Sequence, residues 1–315
     1  MNGEPVMKVA FIFPGQGSQY VGMGKDIYEQ EPVVANIFNE ADDILHHSLS
    51  KLCFYGPESE LTLTANAQPA ILIVSYALWY LLNMKGLETD CVAGHSLGEY
   101  TALISVDSLK YQDAVILVRK RGLYMQEAVA AGEGAMAAII GLEHKTVEKI
   151  CLEELKDEVV SPANYNAQDQ IVISGLKDAV LKASEIAKKM GAKRVIPLKV
   201  SAPFHCKLMK PAEDKLRNDI EKVVFRDAIY PIFSNVEAKM TVKSNKIKEN
   251  LIKQVTAPVK WYQIIIEMVE NGIDTFVEIG PGKVLTGLVK RISPGSKVYN
   301  IQDRKSLDEV FDALT

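Results

Sequence analysis

Cys91-Val92-Ala93-Gly94-His95-Ser96-Leu97-Gly98-Glu99-Tyr100 is the stretch on which the fold turns. Cys91 to Gly94 predicts a short buried strand, and Thr101, Ala102, Leu103 and Ile104 continue a helix beyond the turn. Ser96 sits at the centre of a G-x-S-x-G pattern, Gly94 to Gly98. A strand-to-helix turn this sharp admits only glycine on either side and pushes the hydroxyl into the open at a helix N-terminus. Backbone N–H groups at a helix start point towards developing negative charge, which suits a nucleophile. The alternative is a Gly-rich turn whose serine merely caps the helix. The strand–turn–helix context favours the nucleophile.

Around this turn, 315 residues are enough for a large core in one or two domains. The net charge is −4 and no Lys/Arg block is long enough to track phosphates, so a nucleic-acid partner is not expected. Cys53, Cys91, Cys151 and Cys206 are scattered and form no C-x-x-C. They imply a reduced, cytoplasmic setting with no disulfide frame and no cysteine-based metal site. The first residues, Met1 to Met7, lack the charged and apolar regions of a signal peptide. They read as an added segment or as an upstream start before Met7. The longest apolar run, Ala70 to Leu82, is too short to span a bilayer, so no membrane is expected.

Upstream of the serine, Lys8 to Phe13 reads as a central strand that ends in Pro14-Gly15-Gln16-Gly17-Ser18-Gln19. The two glycines around Gln16 allow close backbone approach to a ligand or an oxyanion, with a plain strand-to-helix turn as the alternative; neither a dinucleotide fingerprint nor a phosphate loop is present. Pro32 to Leu45 has helical spacing, and Gln68-Pro69 opens a long apolar helix. Downstream, the helix Tyr111 to Ala130 places Ala114, Leu117, Val118, Arg121, Met125 and Ala128 on one face. Arg121 therefore projects from an apolar stripe. A buried guanidinium needs an incoming anion or an internal ion pair, unless its head snorkels out to water, and spacing does not choose among these.

From Gly134 the pattern changes. Strands at 135–140, 159–164, 170–174 and 194–198, with helices at 144–155 and 177–190, give β-α-β-β-α-β, the order of a small ferredoxin-like unit. It is expected as an inserted subdomain, 132–198, within an α/β domain made of 1–131 and 199–315. The remaining elements alternate, which predicts a mainly parallel sheet.

A serine hydroxyl needs a base. His46, His47 and His144 lie in polar, surface-like contexts, and His95 diverges from its neighbour Ser96 on the tight turn. His205, alone in an apolar Pro-Phe loop, is left by elimination, with a structural core histidine as the alternative. No acidic third member can be chosen from spacing. Cys206 follows His205, and its thiol is read either as lying near the pocket or as buried and inert.

Together with their flanks, Ser96, Arg121 and His205 resemble the malonyl-CoA:acyl carrier protein transacylases of fatty acid and polyketide synthesis. The resemblance runs over Phe13 to Gln19, Gly94 to Tyr100, Arg119 to Gly122, Ala202 to His205, Ser234-Asn235-Val236 and Glu278 to Gly282. It implies an α/β-hydrolase-like large domain carrying the ferredoxin-like one. It also implies malonyl transfer from coenzyme A to the carrier thiol through an acyl-Ser96 ester, with His205 as base and then acid. Further implied roles are an oxyanion hole from the N–H groups of Gln16 and Leu97, and Arg121 on the malonyl carboxylate. Phe204, Met125 and Asn166 are implied at the substrate, and the backbone carbonyl of Gln254 behind the histidine. No permanently bound cofactor is implied, with acyl carrier protein and malonyl-CoA as partners of a monomer. Three departures stand out: Cys206 after the histidine, the loop Asn164 to Asp169, and Val106-Asp107-Ser108. None removes a catalytic residue of the pattern.

Overall fold

Every residue of Val9–Phe13 is buried, and its side chains serve two cores in alternation. Val9, Phe11 and Phe13 pack to one side with the helix Thr64–Met84, while Ala10 and Ile12 pack to the other with Trp261–Glu270. A strand covered on both faces reads as a continuous apolar run, as this one does. The protein is described here by a computed structural model, which covers residues 7–130, 132–198, 200 and 202–315. The reading of residues 1–6, and the expected boundary residues 131 and 199, lie outside these.

Val9–Phe13 is β1 and Cys91–Gly94 is β2. Gly134–Ile140, Val160–Ala167, Gln170–Leu176 and Arg194–Pro197 are β3 to β6. Ile232–Phe233, Met240–Thr241, Thr275–Ile279 and Lys297–Ile301 are β7 to β10. One sheet has the order β10-β9-β1-β2-β7-β8 and is parallel except for the short β7–β8 pair. The other is antiparallel, in the order β4-β5-β3-β6. The molecule is thus α/β, with a mainly parallel sheet beside an antiparallel one.

The antiparallel sheet faces two ways. Ala137, Ile139, Ile171 and Ile173 pack under the helix Lys177–Lys189, while Met136, Ala138 and Val172 turn towards the core of the parallel sheet. In the parallel sheet, Phe13 lies in register beside Gly94. The turns after β1 and β2 therefore emerge together at the carboxyl ends of the strands, where sites form in such sheets.

Several boundaries differ from expectation. The long apolar helix begins at Thr64, five residues before Pro69. A proline inside a helix removes the hydrogen bond to the carbonyl four residues back. Here that carbonyl, of Ala65, accepts from Arg119 Nη1 at 2.6 Å instead. At 21 residues this helix is long and apolar enough to cross a bilayer, yet most of it is buried inside the protein. The helix expected to reach Ala130 ends at Glu127. The segment 144–155 divides into His144–Lys149 and a wider turn, Ile150–Glu154, which keeps Ile150 and Leu155, five apart, on the packed side. β4 runs on to Ala167, because Gln168 and Asp169 form a two-residue hairpin turn to β5. His144 is half-buried rather than on an exposed turn: Nε2 donates to the Ala167 carbonyl at 2.8 Å and the ring packs on Tyr165 and Tyr262.

Candidate active site

The turn after β2 is as sharp as the motif requires. A Cβ on Gly94 would lie 1.8 Å from the carbonyl carbon of Gly98, and one on Gly98 would lie 2.1 Å from the Phe13 oxygen. No side chain fits either gap. Ser96 takes a φ of 51°, in the left-handed region that L-residues avoid. Asn235, which follows β7, clamps the turn from both ends: its Oδ1 accepts from the Ser96 N–H at 2.7 Å and its Nδ2 donates to the Gly94 carbonyl at 2.7 Å.

The Ser96 hydroxyl donates to His205 Nε2 at 2.8 Å. His205 comes from the loop after β6 and also has a left-handed φ, 57°. Its Nδ1–H donates to the Gln254 carbonyl at 2.8 Å, which fixes the tautomer with Nε2 as acceptor. Burial and the nearby Arg121 charge push the imidazole down to about 3, so it is neutral at ordinary pH. A neutral imidazole held in this way can take a hydroxyl proton.

Arg121 is buried, as its place on the apolar face requires. Nη1 donates to Gln68 Oε1 at 2.6 Å, and Nη2 donates to Gln254 Oε1 at 2.9 Å and Ser96 Oγ at 3.0 Å. The Tyr100 ring lies 5.7 Å from the guanidinium carbon. Among the described residues no carboxylate is within ion-pair distance, which removes the internal salt bridge left open by helix phase. Burial pulls the Arg121 pKa down, opposed by Tyr100 and Glu99. Glu99 is the nearby acidic group: burial pushes its carboxyl up to about 7, against hydrogen bonds from Gln254 and Asn235 and the Arg121 charge.

These groups line a cavity of about 300 Å³. Gln16, Leu97, Met125 and Phe204 line it with Ser96, Arg121 and His205, and Met136, Leu198 and Val200 close it from the antiparallel side. The backbone N–H groups of Gln16 and Leu97 have no hydrogen-bond partner among the described residues. Asn166 stands one step back, accepting from His95 Nε2 at 2.9 Å, whereas Asn164 lines the wall. Cys206 takes the second of its two readings: it is buried, donates to the Pro203 carbonyl at 3.1 Å and does not line the cavity. Burial pushes its thiol pKa up. No group of three or more His, Cys, Asp or Glu that could hold a metal occurs among the described residues.

Sequence reasoning passed over Gln68, Glu99 and the function of Asn235. The signal for Glu99 was available: a carboxylate on the helix Gly98–Ser105, which carries no other charged residue and is buried throughout. Gln68 was noticed only as the residue before Pro69, and Asn235 only as part of a motif.

An α/β sheet that presents a serine on a strained turn, against a neutral imidazole and beside a buried arginine, defines an acyl-transfer class of protein. The family model for the acyl transferase domain matches residues 10–305. The malonyl CoA-acyl carrier protein transacylase of Bacillus subtilis (strain 168) is 47% identical over 309 residues, covering 98% of this chain and 97% of that protein. A crystal structure of an acyl carrier protein S-malonyltransferase from Vibrio cholerae is 45% identical and superposes with a TM-score of 0.94, covering 96% of this chain and 99% of that one. A malonyl-transacylase solved in complex with its type II polyketide synthase acyl carrier protein is 42% identical, with a TM-score of 0.94 over 97% of this chain and 99% of its own. The chain belongs to the malonyl CoA-acyl carrier protein transacylase family of acyltransferases.

Proposed function

We propose that this enzyme moves a malonyl group from malonyl-CoA to the phosphopantetheine thiol of acyl carrier protein, in two half-reactions through an ester on Ser96, to supply fatty acid or polyketide chain extension. The observation that carries it is the pair of contacts on Ser96 Oγ: His205 Nε2 at 2.8 Å and Arg121 Nη2 at 3.0 Å, with no carboxylate among the described residues on the arginine. In the first half, Ser96 Oγ attacks the thioester carbonyl while His205 Nε2 takes its proton. The N–H groups of Gln16 and Leu97, which lack partners among the described residues, receive the oxyanion. The C–S bond breaks and His205 returns the proton to the coenzyme A sulfur. In the second half the carrier thiol gives its proton to His205 and attacks the ester, and Ser96 recovers the proton as it leaves.

Arg121 holds the malonyl carboxylate in a bidentate pair, which a planar guanidinium makes and an ammonium does not. The Gln254 carbonyl orients the imidazole, in the place a carboxylate takes in other triads. Phe204 and Met125 shape the acyl pocket, and Asn166 steadies it through His95. No bound cofactor has a part in these steps. The parallel sheet with its helices is read as an α/β-hydrolase-like domain, residues 1–131 and 199–315. The sheet order β4-β5-β3-β6 with two helices on one face supports a ferredoxin-like subdomain at 132–198. A cytoplasmic setting fits four free, buried thiols, and the enzyme is read as a monomer.

Intact mass after mixing with malonyl-CoA, then with carrier protein, tests the proposal. A malonyl adduct that moves to the carrier is expected, and Ser96→Ala should form none. Arg121→Ala should lower malonyl transfer by about tenfold or more, the scale of one charge-assisted pair, and acetyl transfer far less. An adduct that only hydrolyses would make the protein a thioesterase, and equal losses on both acyl groups would make Arg121 structural.

A further inference from the structure

Beneath the serine turn lies a carboxylate that the proposed reaction does not use. Glu99 is 3% exposed. Its Oε2 accepts from Gln254 Nε2 at 2.7 Å and from the Asn235 backbone N–H at 3.3 Å. The Gln254 amide nitrogen also donates to the Ser96 carbonyl at 2.9 Å. An amide NH₂ has two hydrogens, and both are taken here by oxygens. The far end of the amide, Oε1, then faces Arg121 and accepts from it at 2.9 Å. Half a turn of this amide would set NH₂ against guanidinium and oxygen against two oxygens.

We propose that Glu99 is a positioning residue: it fixes the Gln254 amide with its oxygen towards Arg121, and through this sets the preference for acyl groups that carry a carboxylate. The proposal rests on Arg121 being the holder of the malonyl carboxylate. A guanidinium meant for an incoming anion has two conflicting needs. It must be held still, and it must not be neutralised. A carboxylate in direct contact would hold it but compete with the substrate. The neutral amide oxygens of Gln68 and Gln254 hold it and leave its charge unpaired. Amides, however, have two ends of similar shape, and a flipped Gln254 would repel the arginine. Glu99, one residue further back, removes that freedom while ionised because it accepts and never donates. Its other contact braces Asn235, which clamps the serine turn. A role confined to that brace would affect every acyl group alike, so substrate preference separates the two.

Glu99→Gln keeps the shape but can donate as well as accept, which leaves the Ser96 carbonyl alone to hold the Gln254 amide and weakens its bias against turning. The measurement is kcat and KM for transfer from malonyl-CoA and from acetyl-CoA, with a thermal melt beside each. The malonyl-to-acetyl ratio of kcat/KM should fall by about tenfold or more, mainly through the malonyl KM, as expected when one charged contact is misdirected. An unchanged ratio, or equal losses on both substrates, overturns the proposal and leaves Glu99 as a brace. A rise in the ratio overturns it too, since Glu99 would then act on Arg121 by charge alone. Should the variant fail to fold, Gln254→Met removes the same amide at the same length, and there too the ratio must fall. A parent enzyme that forms no malonyl ester by mass refutes the function itself. A parent that forms it, with the ratio intact in the variant, refutes only this inference.

Discussion

His205 shows how position, rather than residue type, makes a base. Its loop holds a left-handed φ of 57°, a backbone strain a bare core histidine has no need of. Burial and Arg121 together hold the imidazole neutral, down to about 3 against an ordinary 6.5. The sign of the pH effects follows. The base is ready without losing a proton first, so the acid limb of kcat/KM should lie well below the ordinary imidazole value. A limb at 6.5 would mean an exposed, unshifted histidine serves instead. His205→Ala should slow acylation by about 10²–10⁴, the usual size of general-base help. For stability, the unfolded chain takes up this proton near 6.5 and the folded one does not. The contribution is therefore fully present above 6.5 and is lost as pH falls from there towards about 3.

Among the elements, Thr64–Met84 and Tyr111–Glu127 depend on each other. Pro69 would leave the Ala65 carbonyl without a helical partner, and Arg119 supplies one from the second helix while also donating to Asn66 Oδ1 at 2.5 Å. Gln68 lies one residue before Pro69 and Arg121 two residues beyond Arg119, so the same contact that repairs the first helix brings the amide oxygen to the guanidinium. Arg119→Met keeps the stem but leaves both oxygens unpaired. The expected cost is about 1–3 kcal/mol for a buried acceptor without its donor, read from the denaturant midpoint. A midpoint within error of the parent would show that water replaces Arg119 freely.

On the scale of the whole molecule, the cavity lies where the two sheets meet. The turns after β1 and β2 supply Gln16, Ser96 and Leu97, and the antiparallel side supplies Met136, Leu198 and Val200. Packing elsewhere in the molecule shields the thiols. Cys53, Cys91, Cys151 and Cys206 are each at most 4% exposed. Burial pushes the pKa of Cys91 and Cys151 up to about 12 and raises Cys53 and Cys206 as well. Thiol reactivity requires the thiolate and access to it, and the folded protein offers neither. A bulky thiol reagent should therefore label no cysteine in the native enzyme and should leave malonyl transfer unchanged, while all four label after denaturation. Inhibition that Cys206→Ser removes would restore that thiol to the pocket.

What local chemistry decides was legible in the residues alone. The G-x-S-x-G turn, the apolar strand before it, the helix phase that buries Arg121 and the β-α-β-β-α-β order all depend on neighbours a few positions apart, where periodicity and steric limits act. His205 emerged by elimination, because the other histidines lay in visibly polar or divergent settings. Contacts between distant segments were not legible, since nothing in the chain prints which backbone ends a fold brings together. That the carbonyl facing His205 belongs to a residue 49 positions on came from resemblance, and its 2.8 Å distance came only from the structure. The helix through Pro69 was missed because its repair comes from Arg119, far along the chain. Cys206 stayed open between pocket and core because adjacency to His205 says nothing of which way a side chain turns. Above all, the choice between an ion-paired and an unpaired Arg121 belonged to tertiary structure. Helix phase can bury a charge, but only the packed neighbours, Gln68, Gln254 and the set-back Glu99, determine what it faces.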